Sequence, residues 1–358
     1  MTKRKNSQPE SRKDLGFSTA AENLGVQPAN STADLTPSSS VTGQAVVATG
    51  GEAIVAQTAT PAALEELNGD PVARGTSKLT LYRRRFFRNR MAVVGLGIFF
   101  FLTLLALFGG FLTPWSFDEA DFANLSSPPS AEHWFGTTGG GHDLYAQTVH
   151  GLGRSLIIAL VVSLGTSILS AVIGAGAALL GGVVEKGVLA VIHFLLAIPT
   201  FLLIALLVSD AAGDWKLLIV VLIAFGWMYP ARVIWAMSLS VRENDYVRAA
   251  RFMGVSVPRT VVRHIIPNIG SLLIIQFTLG VVSTVVSETA LSFLGLGVKL
   301  PDVSLGTLLS TGAGSLASSP WEFYFPASVL TLLTVSMALI ADGLRDALDP
   351  NSQSGGRA

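Results

Sequence analysis

Met91-Ala-Val-Val-Gly-Leu-Gly-Ile-Phe-Phe-Phe-Leu-Thr-Leu-Leu-Ala-Leu-Phe-Gly-Gly-Phe-Leu112 runs without a single charge, directly after a block holding Arg83, Arg84, Arg85, Arg88 and Arg90. A helix needs about 20 apolar residues to cross a hydrocarbon core about 30 Å thick, and this stretch supplies them. Five more apolar runs follow, at 156–180, 188–208, 217–237, 269–286 and 325–341. Each is expected to be helical, because in lipid a helix satisfies its own backbone polar groups and an open strand does not. The fold class expected is an all-α membrane protein with six transmembrane helices.

Composition agrees with that reading. Only 13% of the residues are charged, against about 25% in an ordinary soluble domain. Lys+Arg and Asp+Glu both number 24, which gives no argument for a nucleic-acid partner. The chain has no cysteine, so disulfides, thiolate metal sites and thiol nucleophiles are excluded. Residues 1–77 are rich in Ser, Thr, Ala, Gly, Asn and Gln; such a stretch buries too little apolar surface to offset its ordering entropy, and a disordered extension is expected. The polar start, with no apolar run behind it, speaks against a cleavable signal peptide.

Lys/Arg bias in short loops sets orientation. With the Arg83–Arg90 block cytoplasmic, the 238–267 loop falls on the same side, and it carries Arg242, Arg248, Arg251, Arg259 and Arg263 against Glu243 and Asp245. The opposite loops, about 113–153 and 289–324, lean acidic through Asp118, Glu119, Asp121, Glu132, Asp143, Asp302 and Glu322, with Arg154 and Lys299 nearby. Six spans then place both termini in the cytoplasm.

Inside the second run, Ser163, Gly165, Thr166, Ser167, Ser170, Gly174 and Gly176 recur at helical spacing. Small residues let transmembrane backbones approach closely; the same face would also suit a polar passage. No run is crowded with acids or bases, as an ion-coupled carrier requires. His193 and Arg232 read as packing or snorkelling residues. Glu288, near the outer end of the fifth run, reads either as an orienting group at an outer gate or as a residue reaching the interface and capping backbone donors.

The 242–267 loop is the most informative stretch. Tyr246, Ala249, Ala250 and Met253 lie at i, i+3, i+4 and i+7, one stripe of a helix, with Arg248 and Arg251 away from it. Gly254 sits where a helix commonly ends on a left-handed residue. Ser256 and Pro258 have the order of an N-cap and first-turn proline for a second short helix carrying Val261, Val262, Ile265 and Ile266, and leading to Pro267. From pattern alone this is either an amphipathic hairpin lying on lipid or a docking element for a cytosolic partner.

Asp245-Tyr-Val-Arg-Ala-Ala-Arg-Phe-Met-Gly254 with Pro267 downstream resembles the EAA loop of bacterial ABC-importer permeases, in which it is the coupling helix seated in a groove of the ATPase. Arg248 stands where that family has its name-giving Glu. His133-Trp-Phe-Gly-Thr137 with His142-Asp-Leu144, Ser287-Glu-Thr-Ala-Leu-Ser-Phe-Leu-Gly-Leu-Gly297, and Asp342-Gly-Leu-Arg-Asp-Ala-Leu-Asp-Pro350 resemble the C-type permeases of dipeptide and oligopeptide importers. Thr138 and His142 replace that family's usual Asp and Arg, so a salt bridge there is expected to be lost, and the arginine at Arg154 sits one place late.

The resemblance covers about residues 78–350. It implies the type I ABC importer permease fold, with a peptide-permease segment at 78–125 and a transmembrane core at 150–350. It also implies an ATPase-coupling loop comprising Tyr246, Arg248, Ala249, Ala250, Met253, Gly254, Arg263, His264 and Pro267, and makes Glu288 the outer-gate candidate. Implied partners are a homologous second permease subunit, one or two cytosolic ABC ATPases holding ATP and Mg, an extracytoplasmic solute-binding protein and the lipid bilayer of a bacterial inner membrane. This chain would bind no cofactor and catalyse no reaction, since the Gly182–Gly187 region lacks the Gly-Lys-Ser/Thr of a nucleotide loop. The function implied is translocation of di- or oligopeptides. Import of nickel or other metal chelates on the same scaffold is the near alternative, and a self-sufficient secondary transporter or channel the distant one.

Overall fold

The computed structural model describes residues 78–209, 213–299 and 301–348, whose regular elements are all helices; the loops hold two isolated bridges. The expected extension at 1–77 lies outside the described residues. A short basic helix, α1 (Lys78–Arg88), is followed by the first span, α2 (Arg90–Phe108), which tightens into a 3-10 turn at Gly109–Leu112. Asn89 separates the two and caps α2, its side chain accepting from the N–H groups of Met91 and Ala92.

The second span, α3 (Leu144–Leu180), starts well before the expected Leu156, because Asp143 accepts from the Ala146 N–H at 2.7 Å and nucleates the helix inside the polar loop. Gly181 and Gly182, at φ +68° and +57°, turn the chain into α4 (Gly182–Ala197). The third expected span is not one helix. It breaks before Pro199, and α5 (Thr200–Ser209) leaves α4 at 75°. Ile198 is extended there, as a residue before proline must often be, with φ −83° and ψ 135°.

The fourth span also has a joint. α6 (Trp215–Gly226) and α7 (Met228–Arg242) meet at Trp227, three residues before Pro230, which has no N–H to return to the preceding turn. Ser170 of α3 donates to the Trp227 carbonyl at 2.9 Å and supports the joint. Then come α8 (Asp245–Phe252), α9 (Val257–Thr260), a π turn at Val261–Ile265 and α10 (Ile266–Asn268), followed by the fifth span, α11 (Gly270–Phe293). The stretch expected to be loop before the last span contains α12 (Leu305–Gly314), capped by Ser304, and α13 (Trp321–Leu348) closes the described chain. Among the described residues, five helices are long and apolar enough to cross a membrane, six if the bent α4–α5 pair is one span.

α3 is the axis. One core cluster joins it to α2, α11 and α13 through Leu102, Leu152, Val281 and Leu333; a second joins it to α5 and α6 through Ile158, Val208 and Leu218. Lipid supplies little hydrophobic drive between helices, so close approach must hold them. Gly174 shows how: a Cβ there would lie 2.5 Å from the Ala231 carbonyl of α7. At this end of the bundle stand the arginines of α1 and of the α7–α11 connection; the acidic loops stand at the other. The two are called here the basic end and the acidic end.

Candidate functional site

At the basic end, α8 begins after Asn244 with Asp245 in its first turn, where a carboxylate complements the helix dipole. Two bonds terminate it. The Gly254 N–H reaches the Arg251 carbonyl at 3.0 Å and the Val255 N–H reaches the Ala250 carbonyl at 3.1 Å, a Schellman turn that places Gly254 at φ +77°. A side chain at Gly254 would meet no neighbour, so the demand for glycine comes from the backbone alone.

The faces of α8 differ by one residue from the expected stripe. Val247 roots the helix in a cluster with Ala171, Ala175, Leu179, Ile234, Val261 and Ile265, and Ala250 is buried one turn on. Ala249 and Tyr246 are exposed, as are Arg248 and Arg251 beside them. Met253 is 76% exposed and Phe252 86%. Ala250 thus belongs to the inner face, and Phe252, absent from the sequence reading, to the outer one.

The return limb is irregular for a reason. Ser256 takes the N-cap position, but its side chain makes no cap bond; its carbonyl receives both the N–H and the hydroxyl of Thr260. Pro267 cannot donate to the Arg263 carbonyl, and just before it the ladder widens, with the Ile266 N–H reaching back to Val261. Arg263 and Pro267 are exposed and His264 half-buried. The two limbs are pinned at their base: the Tyr246 hydroxyl accepts from the side-chain amides of Asn268 at 2.7 Å and Asn244 at 3.1 Å, and its ring lies 6.1 Å from that of His264. Arg242 secures the last turn of α7 by donating to the Ala178 carbonyl at 2.7 Å, while Glu185 accepts from the Trp235 indole N–H at 2.8 Å.

Near the acidic end, Glu288 is 1% exposed. It neither reaches the interface nor caps backbone donors. One carboxylate oxygen accepts from Ser304 at 2.6 Å and Ser292 at 2.7 Å, and the other from Ser155 at 3.4 Å. The Ser155 hydroxyl in turn accepts from the Leu305 N–H at 3.2 Å. The carboxylate therefore clamps α3, α11 and the start of α12, with no cation paired to it among the described residues.

The outer loop replaces the salt bridge expected to be lost. Thr138 accepts from the His142 N–H through its hydroxyl at 3.1 Å, and the buried His133 meets Asp143 at 2.9 Å. Arg154 ion-pairs with Asp302 at 2.6 Å and lies 4.2 Å above the Trp215 ring; His150 reaches the same carboxylate at 2.8 Å. Asp121 is held below its ordinary pKa by the amides of Asn124 and Ala123, then by His133.

Between the two ends, a groove of about 810 Å³ opens on one side of the bundle. Ser167, Thr200, Gln276, Ser283 and Ser287 contribute its polar lining, with Arg345 towards the basic end. The Gln276 amide oxygen is buried there without a hydrogen-bond partner. The small residues of α3 divide accordingly: Ser163, Ser170 and Gly174 are buried in helix packing, whereas Ser167 lines the groove. His193 and Arg232 are exposed.

Residues 167–353 match the family model described as binding-protein-dependent transport system inner membrane component, and residues 77–129 match the N-terminal TM domain of oligopeptide transport permease C. The chain is 43% identical over 280 residues to the oligopeptide transport system permease protein OppC of Mycobacterium tuberculosis, covering 78% of this chain and 96% of that one. It is 34% identical over 273 residues to OppC of Escherichia coli K12, covering 76% and 90%. To the dipeptide transport system permease protein DppC of Bacillus subtilis it is 32% identical over 268 residues, covering 75% and 84%.

Proposed function

The chain belongs to the binding-protein-dependent transport system inner membrane component family, with its type I ABC importer permease fold, and on that premise we propose that it is one translocation subunit of an ATP-driven importer of di- or oligopeptides. In this reading the basic end faces the cytoplasm, both termini lie there, and the α8 hairpin is seated on a separate ATPase that holds ATP and Mg. A homologous second permease closes the groove, and an extracytoplasmic binding protein delivers the solute to the acidic end.

One observation carries the coupling assignment: α8 is rooted in the α3–α7 core through Val247, with Ala250 also buried, while Ala249, Phe252 and Met253 are exposed. An exposed apolar face on a rigidly rooted helix transmits a push. The hairpin must make different contacts with the ATPase in its two states, since otherwise ATP binding could not bias the permease. The peptide assignment rests on the relatives, and the uncharged hydroxyls of the groove suit backbone amides of varied peptides.

Purification of the tagged chain in mild detergent, followed by mass spectrometry and reconstitution, tests the reading. A second permease and ATPases are expected to co-purify, and the complex to take up peptide only with ATP. Uptake by the chain alone would overturn it.

A further inference from the structure

α1 contains four arginines and no acid. Its inner side is fixed: Phe86 packs against the core and against Gly343 of α13, and Ala92, in the first turn of α2, contacts the same glycine. Two residues that far apart meet one glycine because the chain turns at Asn89, where φ is −79° and ψ 105°; the Asn89 amide also donates to Asp346 of α13 at 3.1 Å. α1 is thereby held beside the basic end of α13, at the depth of the first turn of the span, instead of prolonging α2 into water. With α2 spanning a bilayer, that depth would coincide with the lipid headgroups.

Its outward arc mixes two chemistries. Arg83, Arg84 and Arg88 are exposed and form no ion pair among the described residues. Interleaved with them, Phe87 is 57% and Leu81 39% exposed. A helix facing water gains nothing from Phe87 and Leu81, whereas a helix lying in the interface buries such groups at the acyl boundary and keeps its basic groups among the phosphates. Guanidinium matches phosphate oxygens in a two-pronged geometry, and a basic segment beside a span is attracted by anionic lipid.

We propose that the outward arc of α1 is a binding site for anionic phospholipid headgroups, with Arg83, Arg84 and Arg88 as the phosphate contacts and Phe87 and Leu81 inserted beneath them. The site is independent of what the protein transports.

The cysteine-free chain allows a clean test. Full-length protein carrying Phe87→Cys, labelled with bimane, is reconstituted in phosphatidylcholine vesicles with and without an equal share of phosphatidylglycerol. The expected result is blue-shifted emission and loss of quenching by acrylamide when phosphatidylglycerol is present. Combined Arg83→Gln, Arg84→Gln and Arg88→Gln should abolish that lipid dependence, and the corresponding three lysine substitutions should restore most of it. A label at Phe101→Cys, in the middle of the span and on its exposed face, should stay unchanged in every variant and so report intact insertion. Equal emission in the two lipids, no effect of neutralising the arginines, or a water-exposed label in phosphatidylglycerol would each overturn the proposal.

Discussion

The two ends of this molecule solve opposite problems. At the acidic end, polar groups are turned inward: Glu288 gathers three serines from separate segments, and Asp302 gathers His150 and Arg154. At the basic end, the α8 hairpin is closed by a glycine turn and one tyrosine hub, and its apolar residues Phe252 and Met253 face away from the chain. The Glu288 and Asp302 clusters are bonded within the chain, whereas the outer residues of the α8 hairpin point away from it. A cluster tied across three segments behaves as a brace, and a rooted helix with apolar residues outside suits a docking surface.

Substitutions should therefore act on stability at one end and on coupling at the other. The largest expected effect is at Glu288. Glu288→Leu removes the shared acceptor of three buried hydroxyls, of which Ser292 and Ser304 keep hydroxyl neighbours; each one left unsatisfied costs about 1–3 kcal/mol, and the substitution should lower the detergent melting temperature and the yield of inserted protein. Glu288→Gln keeps an acceptor and should lose much less. If Glu288→Leu melts like the wild type, the clamp is not a brace.

Next comes Gly254→Val. The left-handed backbone at φ +77° costs a side-chain-bearing residue about 1–2 kcal/mol, and a β-branched one is the worst fit. Because open space surrounds this position, melting should change little, while ATP hydrolysis and uptake become uncoupled. Gly254→Asn should retain most uptake. Wild-type uptake in Gly254→Val would remove the contrast between the ends.

Tyr246→Phe deletes the acceptor shared by Asn244 and Asn268, worth about 1 kcal/mol per bond. It should reduce uptake partially and leave melting near wild type. A fall in melting comparable to that of Glu288→Leu would mean that the hairpin, too, is a brace.

The smallest effect is acid sensitivity of the outer loop. The folded Asp121 carboxyl sits below its ordinary value of 3.8 because amides donate to it. Its contribution is therefore present above that value and lost as pH falls below it towards the folded pKa. Hydrogen exchange of the 121–143 loop should rise modestly below about pH 4, and Asp121→Asn should flatten that limb.

Much of this was written in the sequence, and the exceptions have physical causes. Apolar runs located every span, because length and lack of charge are the whole requirement in lipid. Gly254 was legible because a helix end with an open left-handed position has one usual occupant. Pro199 was visible within its run, but a criterion of length alone passes over it. α12 was missed because Leu305-Gly-Thr-Leu-Leu-Ser-Thr-Gly-Ala-Gly314 carries neither a charge pattern nor enough length for a span; the Ser304 cap was its only signal. Ala250 was placed on the outer face because it belongs by spacing both to the 246/249/250/253 stripe and to the 247/250 pair, and only burial decides: Val247 packs against Ala171 and Ile234, and Ala250 is buried with it. Of the partners of Glu288, Ser292 lies one turn on in the same helix, but Ser155 and Ser304 come from other segments, and one sequence carries no record of such pairings.

Met253→Cys, in a chain with no other cysteine, gives the most direct measurement of the hairpin's role. Within the purified complex, a thiol crosslinker placed there should join the chain to a cytosolic ATPase subunit, with a yield that changes on ATP binding, and the residue should be shielded from an impermeant maleimide added outside intact cells. Labelling from outside, or no crosslink to the ATPase in a complex that still hydrolyses ATP and transports, would contradict the account.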